Sequence, residues 1–162
     1  RARRHVEQRR PRFESSHERR DRLAQRFFAA AEHGDLGALE ELLAHDVTLH
    51  GDGGGLPRPV TGRVRVARTL RAGMRLATTR LGDISLREVS VNGQPGAMVL
   101  DASDRLIAVL ALDITDGGQI QTVTSMANPE KLRHLGPLAD PDLFRRVRRG
   151  DRGGEGPASA PG

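Results

Sequence analysis

Acid–base chemistry has three candidate residues in this sequence. Asp113 lies near the end of the apolar run 106–114, where a carboxylate at the mouth of a cavity could act as a general base. His50 and Asp52 could form a second polar pair near the same rim, although their spacing does not show that they meet. A simpler explanation is that Asp113 ends a strand beside a turn and that His50 alternates onto the face opposite the core. The chain has no tyrosine to act as a phenolic oxyanion donor, and we predict no catalytic residue.

Metal and cofactor chemistry finds little support. The chain has no cysteine, which excludes disulfides and thiolate metal sites, and its six histidines show no paired metal-ligand spacing. His33, His45, His50 and His134 are therefore predicted to be surface or loop residues. We expect neither a metal nor a cofactor.

The run Asp52-Gly53-Gly54-Gly55 follows a short strand-like stretch, 47–50. Successive glycines lose much entropy on ordering, so they indicate a need for positive φ or for close approach of another backbone. A phosphate-binding loop is disfavoured because no P-loop lysine or serine follows. The run is therefore predicted to be a contact loop.

A second motif lies near the other end of the predicted domain. In the segment Asn128-Pro129-Glu130-Lys131-Leu132, asparagine can cap a helix and proline can occupy its first position. We predict that Leu132 packs inward and that Lys131 points toward a partner or an acidic neighbour.

Charge is distributed unevenly along the 162 residues. The net charge is +5, and residues 1–26 alone hold ten arginines against four acidic residues. Such an arm is typical of nucleic-acid contacts and also of a solvated helix beside a linker. The absence of cysteine and of any apolar run long enough to span a membrane favours a cytoplasmic protein. Because the sequence begins with arginine, we expect it to be part of a longer protein.

The elements that would position these motifs follow from periodicity and turn signals. Residues 1–10 predict a helix that Pro11 ends, and Ser15 or Ser16 is expected to cap the next one, which Gly34 stops. The pattern then predicts a helix capped by Asp35, a strand beginning at Asp46, and a third helix. The residues expected to face the core on that third helix are Val64, Ala67, Leu70 and Met74.

The second half of the chain predicts β-structure. Asn92-Gly93 indicates a hairpin, and residues 106–114 predict a central strand before a turn and a last strand. The order of elements indicates an α+β fold, in which helices pack on a curved, mainly antiparallel sheet and close a conical cavity. Residues 150–162 are rich in glycine, proline and serine, and are expected to be disordered.

These motifs carry a resemblance to a known family. The architecture resembles the nuclear transport factor 2-like superfamily and its SnoaL-like branch. The glycine run, the segment 91–95 and the Asn-Pro-Glu-Lys-Leu segment resemble the C-terminal extension of SigJ-type extracytoplasmic-function RNA polymerase sigma factors. Residues 2–6 and 9–13 resemble the end of the promoter-binding region 4 helix and its linker. The resemblance implies three parts: residues 1–13 from region 4 and its linker, a SnoaL-like domain over 14–138, and a tail over 139–162.

The sequence departs from the family's motifs at two positions. The family usually has lysine after the glycine run, where this chain has Leu56, and aspartate in the second motif, where it has Glu130. The loss of a cation beside Asp52 puts any ion pair proposed for that loop in doubt.

The resemblance implies a regulatory domain rather than an enzyme. It would dock on sigma regions 2 and 4 of the same parent chain and modulate transcription initiation by the RNA polymerase core. Promoter DNA would be reached only through the parent protein, with weak, salt-sensitive binding by the isolated chain, and a homodimer is conceivable. The alternative is a small-molecule-binding or catalytic domain of isomerase, cyclase or hydrolase type that uses the cavity. Sigma regions upstream in the parent gene would favour the first hypothesis.

Overall fold

Ten elements follow one another along the chain. The computed structural model describes the backbone of residues 2–53, 56 and 58–140, and side chains from residue 16 onward within those ranges. The elements are α1 (Ala2–His33), α2 (Leu36–Leu42), β1 (Leu43–Gly53), β2 (Val60–Thr61), α3 (Arg63–Leu81), β3 (Ser85–Val91), β4 (Gln94–Leu100), β5 (Leu106–Ile114), β6 (Ile120–Ala127) and α4 (Pro129–Leu132).

The six strands form one sheet in the order β2-β1-β6-β5-β4-β3. Every neighbouring pair is antiparallel except β1 and β6, which run parallel. Register shifts interrupt the pairing within β1–β6, β4–β5 and β5–β6, and such irregularities bend a sheet. The predicted α+β fold with a curved, mainly antiparallel sheet is confirmed.

Helix α1 is longer than the sequence predicts. It continues through Pro11 and ends at His33, so the predicted break at Pro11 and the new start at Ser15 or Ser16 are wrong. A proline removes one intrahelical hydrogen bond and disfavours the helix locally, but the bonds of the turns on either side remain. Gly34 ends the helix as predicted, with φ of 67°.

Helix α2 begins as predicted, whereas the first strand begins early. The Asp35 side chain accepts a hydrogen bond from the Ala38 N–H at 3.1 Å. Strand β1 starts at Leu43, not at Asp46, because Leu43 pairs with Ile120 of β6 and is completely buried. Leu43, which precedes the predicted start of the strand, therefore belongs to the sheet.

Helix α3 turns a slightly different face to the core than predicted. Ala67 and Leu70 are buried, but Val64 is 44% exposed and Val66 is buried instead. Val66, Leu70 and Ala77 follow helical spacing, and Val64 lies well away from their line. The alternation of arginine and valine over residues 63–66 does not by itself show which valine faces the core.

The β3–β4 hairpin has the predicted Asn92-Gly93 turn, with φ of 50° and 78°. Strand β5 is buried on both faces apart from Asp113, which confirms the predicted central strand. Its two faces contribute to different cores. Helices α1, α2 and α3 cover the main core on one face, and α4 covers a second core on the other.

The second core consists of Leu100, Leu106, Val109 and Leu132, with Met98 and Met126 among the residues packed against it. The chain then passes Leu138, which bridges to Leu106, and reaches Ala139, which is 5% exposed. Ala139 belongs to the main core. Of the predicted tail over 139–162, residues 141–162, which include the stretch 150–162 expected to be disordered, lie outside the described residues.

Candidate functional site

The parallel pairing of β1 with β6 brings the two predicted motifs together. Asp52 is in register with Met126, and Gly53 with Ala127. Parallel strands end at the same edge of a sheet, so the end of β1 lies beside the start of α4. We call the group formed by Asp52, Gly53, Asn128, Lys131 and Leu132 the β1–α4 junction.

An ion pair joins the two motifs at this junction. The Lys131 Nζ donates a hydrogen bond to the Asp52 Oδ2, across 79 positions of sequence. This confirms that Lys131 points toward an acidic neighbour. The two side chains are 62% and 38% exposed, and ion pairs as exposed as this contribute about 0–1 kcal/mol to stability.

Gly53 provides the close approach that the sequence predicts, but toward its own domain. Its φ is +83°, and a Cβ at this position would lie 2.7 Å from the Asn128 backbone nitrogen and 2.8 Å from the Ala127 carbonyl carbon. Both features exclude a side chain. The backbone that Gly53 approaches is therefore that of residues 127–128 of the same chain, while Gly54 and Gly55 lie outside the described residues.

The second motif forms the predicted capped helix. The Asn128 side chain accepts a hydrogen bond from the Glu130 N–H at 3.1 Å, and Pro129 occupies the first turn. Leu132 is 3% exposed and lies in the second core, whereas Glu130 and Lys131 are exposed. The buried leucine holds α4 against the sheet and leaves the charged residues at the surface.

Leu56, which follows the glycine run, packs inward. A Cβ on Gly51 would lie 2.6 Å from the Leu56 Cβ, so the leucine side chain covers that glycine. It also packs against the main core while remaining half-buried. Lys131 supplies the cation beside Asp52, so Asp52 has an ion-pair partner although no lysine follows the glycine run.

A half-open cleft of about 470 Å³ lies between α1 and the sheet, at the β3–β4 hairpin and the end of β5. Ala24, Phe28 and Leu112 contribute to its apolar wall. The acidic residues on its lining are Asp21, Glu88 and Asp113. Asp113 is thus one of the residues that border the cleft, and it is the one exposed residue of β5.

The other acid–base candidates are placed elsewhere. His50 is exposed and is in register with Thr124, while Asp52 forms its ion pair with Lys131. His33, His45 and His134 are exposed as predicted. In the part of the chain that the structure describes, no three histidine or acidic side chains are grouped to hold a metal ion.

One buried carboxylate, Asp101, lies in the turn between β4 and β5 and was not among the predicted residues. Its Oδ1 accepts hydrogen bonds from the backbone N–H groups of Ser103 and Arg105, and its Oδ2 accepts one from the Arg105 Nε, all at 2.9 Å. Burial opposes ionisation of Asp101, but these bonds outweigh it and lower the pKa from its ordinary value. The Asp-Ala-Ser-Asp sequence between two apolar runs was the available turn signal.

None of the helices in the described residues is long and apolar enough to cross a membrane. No protein-family model and no curated protein matches the chain. Solved structures do match it.

One similar structure is the extracytoplasmic function sigma factor SigJ of Mycobacterium tuberculosis, at 28% identity and a TM-score of 0.55. The match covers 75% of this chain and 46% of SigJ, so the chain spans about half the length of that relative. A second is an uncharacterized protein with a cystatin-like fold from Silicibacter pomeroyi, at 19% identity and a TM-score of 0.55, covering 80% and 84% of the two chains.

A third similar structure is the epoxide hydrolase/cyclase-like enzyme SalBIII, at 14% identity and a TM-score of 0.50, covering 70% of this chain and 94% of that enzyme. At such identities the second and third structures show the fold alone. The chain thus has the SnoaL-like, nuclear transport factor 2-like fold and resembles the SnoaL-like domain of SigJ.

Proposed function

We propose that this chain is the regulatory domain of a cytoplasmic extracytoplasmic-function sigma factor and that it acts through the β1–α4 junction. In this role it docks on sigma regions 2 and 4 of the same parent chain and modulates initiation by the RNA polymerase core. It reaches promoter DNA through those regions, and it is not an enzyme. The observation that carries the proposal is that two motifs distant in sequence meet in one exposed, oppositely charged pair.

The properties of the Asp52–Lys131 pair suit a regulatory contact. An exposed ion pair of this kind contributes at most about 1 kcal/mol to stability. Charged groups of a docking partner can therefore replace either residue of the pair with little loss of stability. The surrounding backbone is fixed independently by the close approach at Gly53, by the Asn128 cap and by burial of Leu132. The junction therefore combines a rigid frame with replaceable charges.

Transcription in vitro by the parent sigma factor with reconstituted RNA polymerase tests this proposal. Lys131→Ala and Asp52→Ala should each change the amount of transcript severalfold, because each removes one charge from the contact. Arg87→Ala is the matched control for Lys131→Ala, since the Arg87 side chain is 60% exposed, close to the 62% of Lys131, and forms an exposed ion pair with Asp104 away from the junction. It should leave transcription unchanged.

The result that would contradict the proposal is unchanged transcription in both junction variants while their melting curves match that of the unaltered protein. Alanine replacement of the whole glycine run is a poor test, because Gly53 is needed by the fold itself. The proposal would also be contradicted if the parent gene encoded no sigma regions.

A second candidate function is small-molecule binding or catalysis in the α1–sheet cleft. The observation that favours it is that Asp113 borders a cleft of about 470 Å³ with an apolar wall, and this volume is typical of ligand pockets. Asp113→Asn would then abolish turnover or weaken binding while transcription by the parent protein remained unchanged. Unaltered ligand binding in this variant would exclude the carboxylate from that function.

A further inference from the structure

Helix α3 carries positive charge that its surroundings in the sequence do not share. Residues 27–140 contain 14 acidic and 11 basic residues, and α3 holds six of the 11 basic residues and none of the acidic ones. Those six are Arg63, Arg65, Arg68, Arg71, Arg75 and Arg80. The helix is a basic element in a stretch of chain that is otherwise acidic.

Four of these arginines lie along one side of the helix. Val66, Ala67, Leu70 and Ala77 turn toward the main core, and at 100° per residue Arg65, Arg68, Arg71 and Arg75 fall on the outward side. Arg71 is half-buried and the other three are exposed. We call these four residues the α3 arginine stripe, which extends over about 15 Å of helix axis.

No acidic side chain in the described part of the protein neutralises the stripe. The ion pairs found there are made by Arg20, Arg87, Arg105 and Lys131. Like charges three or four positions apart destabilise a helix, so helix stability does not account for the stripe. Arg63 differs, because its Nε donates a hydrogen bond to the Leu43 carbonyl oxygen at 2.9 Å.

We propose that the α3 arginine stripe binds the phosphate backbone of duplex DNA without reading its sequence. Duplex DNA carries about one negative charge per 1.7 Å of axis, so a stripe of about 15 Å faces roughly nine charges. Guanidinium groups pair well with phosphate oxygens. This charge complementarity favours a polyanion as the occupant of a helix face on which Arg65, Arg68 and Arg75 are exposed in the described part of the chain.

The rest of α3 favours backbone contact over base recognition. The helix has no aromatic residue, asparagine or glutamine, which are common sources of stacking and of contacts to adenine. The hydroxyls of Thr69 and Thr79 donate to the carbonyl oxygens of Arg65 and Arg75 within the helix. Val64 is the one large apolar side chain of α3 that is strongly exposed, too little apolar surface for insertion into a membrane.

This proposal goes beyond regulation through the β1–α4 junction, because it needs no sigma regions and can be measured on the chain by itself. The arginine-rich arm over residues 1–26 could also contact phosphate, so the experiment must separate the two. Helix α1 offers a matched set for this purpose. Arg19, Arg22 and Arg26 are exposed and have the same spacing as Arg68, Arg71 and Arg75.

The experiment compares two triple variants of the full chain by fluorescence anisotropy, with two unrelated duplexes of about 20 base pairs over a series of salt concentrations. R68Q/R71Q/R75Q should weaken binding to both duplexes alike, and should reduce the slope of log affinity against log salt by between about two and three. R19Q/R22Q/R26Q should change affinity and slope less. Melting curves establish that both variants fold.

An equal or larger loss of affinity in the α1 variant, or no loss in the α3 variant, overturns the proposal. R65Q/R68Q changes only exposed residues and should reduce the slope by nearly two, which keeps the test decisive if the triple variant is unstable. Phosphatidylserine vesicles are the final probe. If the α3 variants lose vesicle binding but keep duplex binding, the partner is a membrane surface and not DNA.

Discussion

Replacement of Gly53 by alanine is the sharpest test of how the β1–α4 junction is built. The added Cβ would lie 2.7 Å from the Asn128 nitrogen, where ordinary contact begins at 3.4 Å. The atoms in the way belong to the backbone and cannot rotate aside. The segment at residues 127–128 must therefore move by about 0.7 Å, and this segment carries the cap of α4.

The size of the effect has two parts. Alanine in a left-handed conformation costs about 1–2 kcal/mol, and overpacking of a tight site typically adds about 1–3 kcal/mol. We therefore expect Gly53→Ala to lower the free energy of unfolding by about 2–5 kcal/mol. That is a large share of the stability of an ordinary domain.

Gly118→Ala is the control for the conformational part. Gly118 has φ of +79°, close to the +83° of Gly53, but a Cβ there would meet no atom within 4 Å. Urea unfolding of both variants should show a loss near 1–2 kcal/mol for Gly118→Ala and a clearly greater loss for Gly53→Ala. Equal losses would refute the view that close approach to Asn128 requires a glycine at position 53.

Two further predictions concern stability. Asn128→Ala should destabilise the domain by about 1 kcal/mol through loss of the α4 cap, whereas Lys131→Ala should change its urea midpoint very little; equal losses would mean that Lys131 has a structural role after all. Asp101 should make the stability of the domain depend on pH, because folding lowers the pKa of its carboxyl group from the ordinary value of 3.8. Such a group stabilises the folded state above its ordinary pKa, and this contribution is lost as the pH falls through the pKa of the folded state. Melting temperatures measured from about pH 6 to pH 2 should fall less steeply for Asp101→Asn than for the unaltered protein, and parallel curves would show that Asp101 is not responsible.

Local signals in the sequence predicted local structure well. The Asn92-Gly93 hairpin, the Asp35 cap, the Asn128 cap and the central strand all depend on residues close together in the chain. The local errors are the helix break at Pro11, the strand start at Asp46 and the placement of Val64 on the core face of α3. At Pro11 the helix-forming residues on both sides outweigh one unfavourable residue.

The site itself was predicted only in pieces. Each motif was found from its own residues, but nothing local shows that β1 pairs in parallel with β6, which begins 67 positions after β1 ends. That pairing decides that Asp52 meets Lys131 and that Gly53 approaches Asn128. The sequence therefore suggested sigma regions as the contact of this loop, whereas in the structure Asp52 and Gly53 contact Lys131 and Asn128 of their own domain.

The two proposed surfaces lie on opposite sides of the sheet, and this placement has a mechanistic consequence. Helix α3 packs against the main core with its arginine stripe turned outward, whereas α4 covers the second core on the other face. A protein partner at the junction would leave the stripe open to DNA. Regulation through Lys131 and phosphate contact through α3 should therefore be separable, so that changes in one surface leave the measurement on the other intact. Loss of one phosphate contact reduces the slope of log affinity against log salt by about 0.9. If Lys131→Ala reduced this slope by more than that, the two surfaces would not be independent.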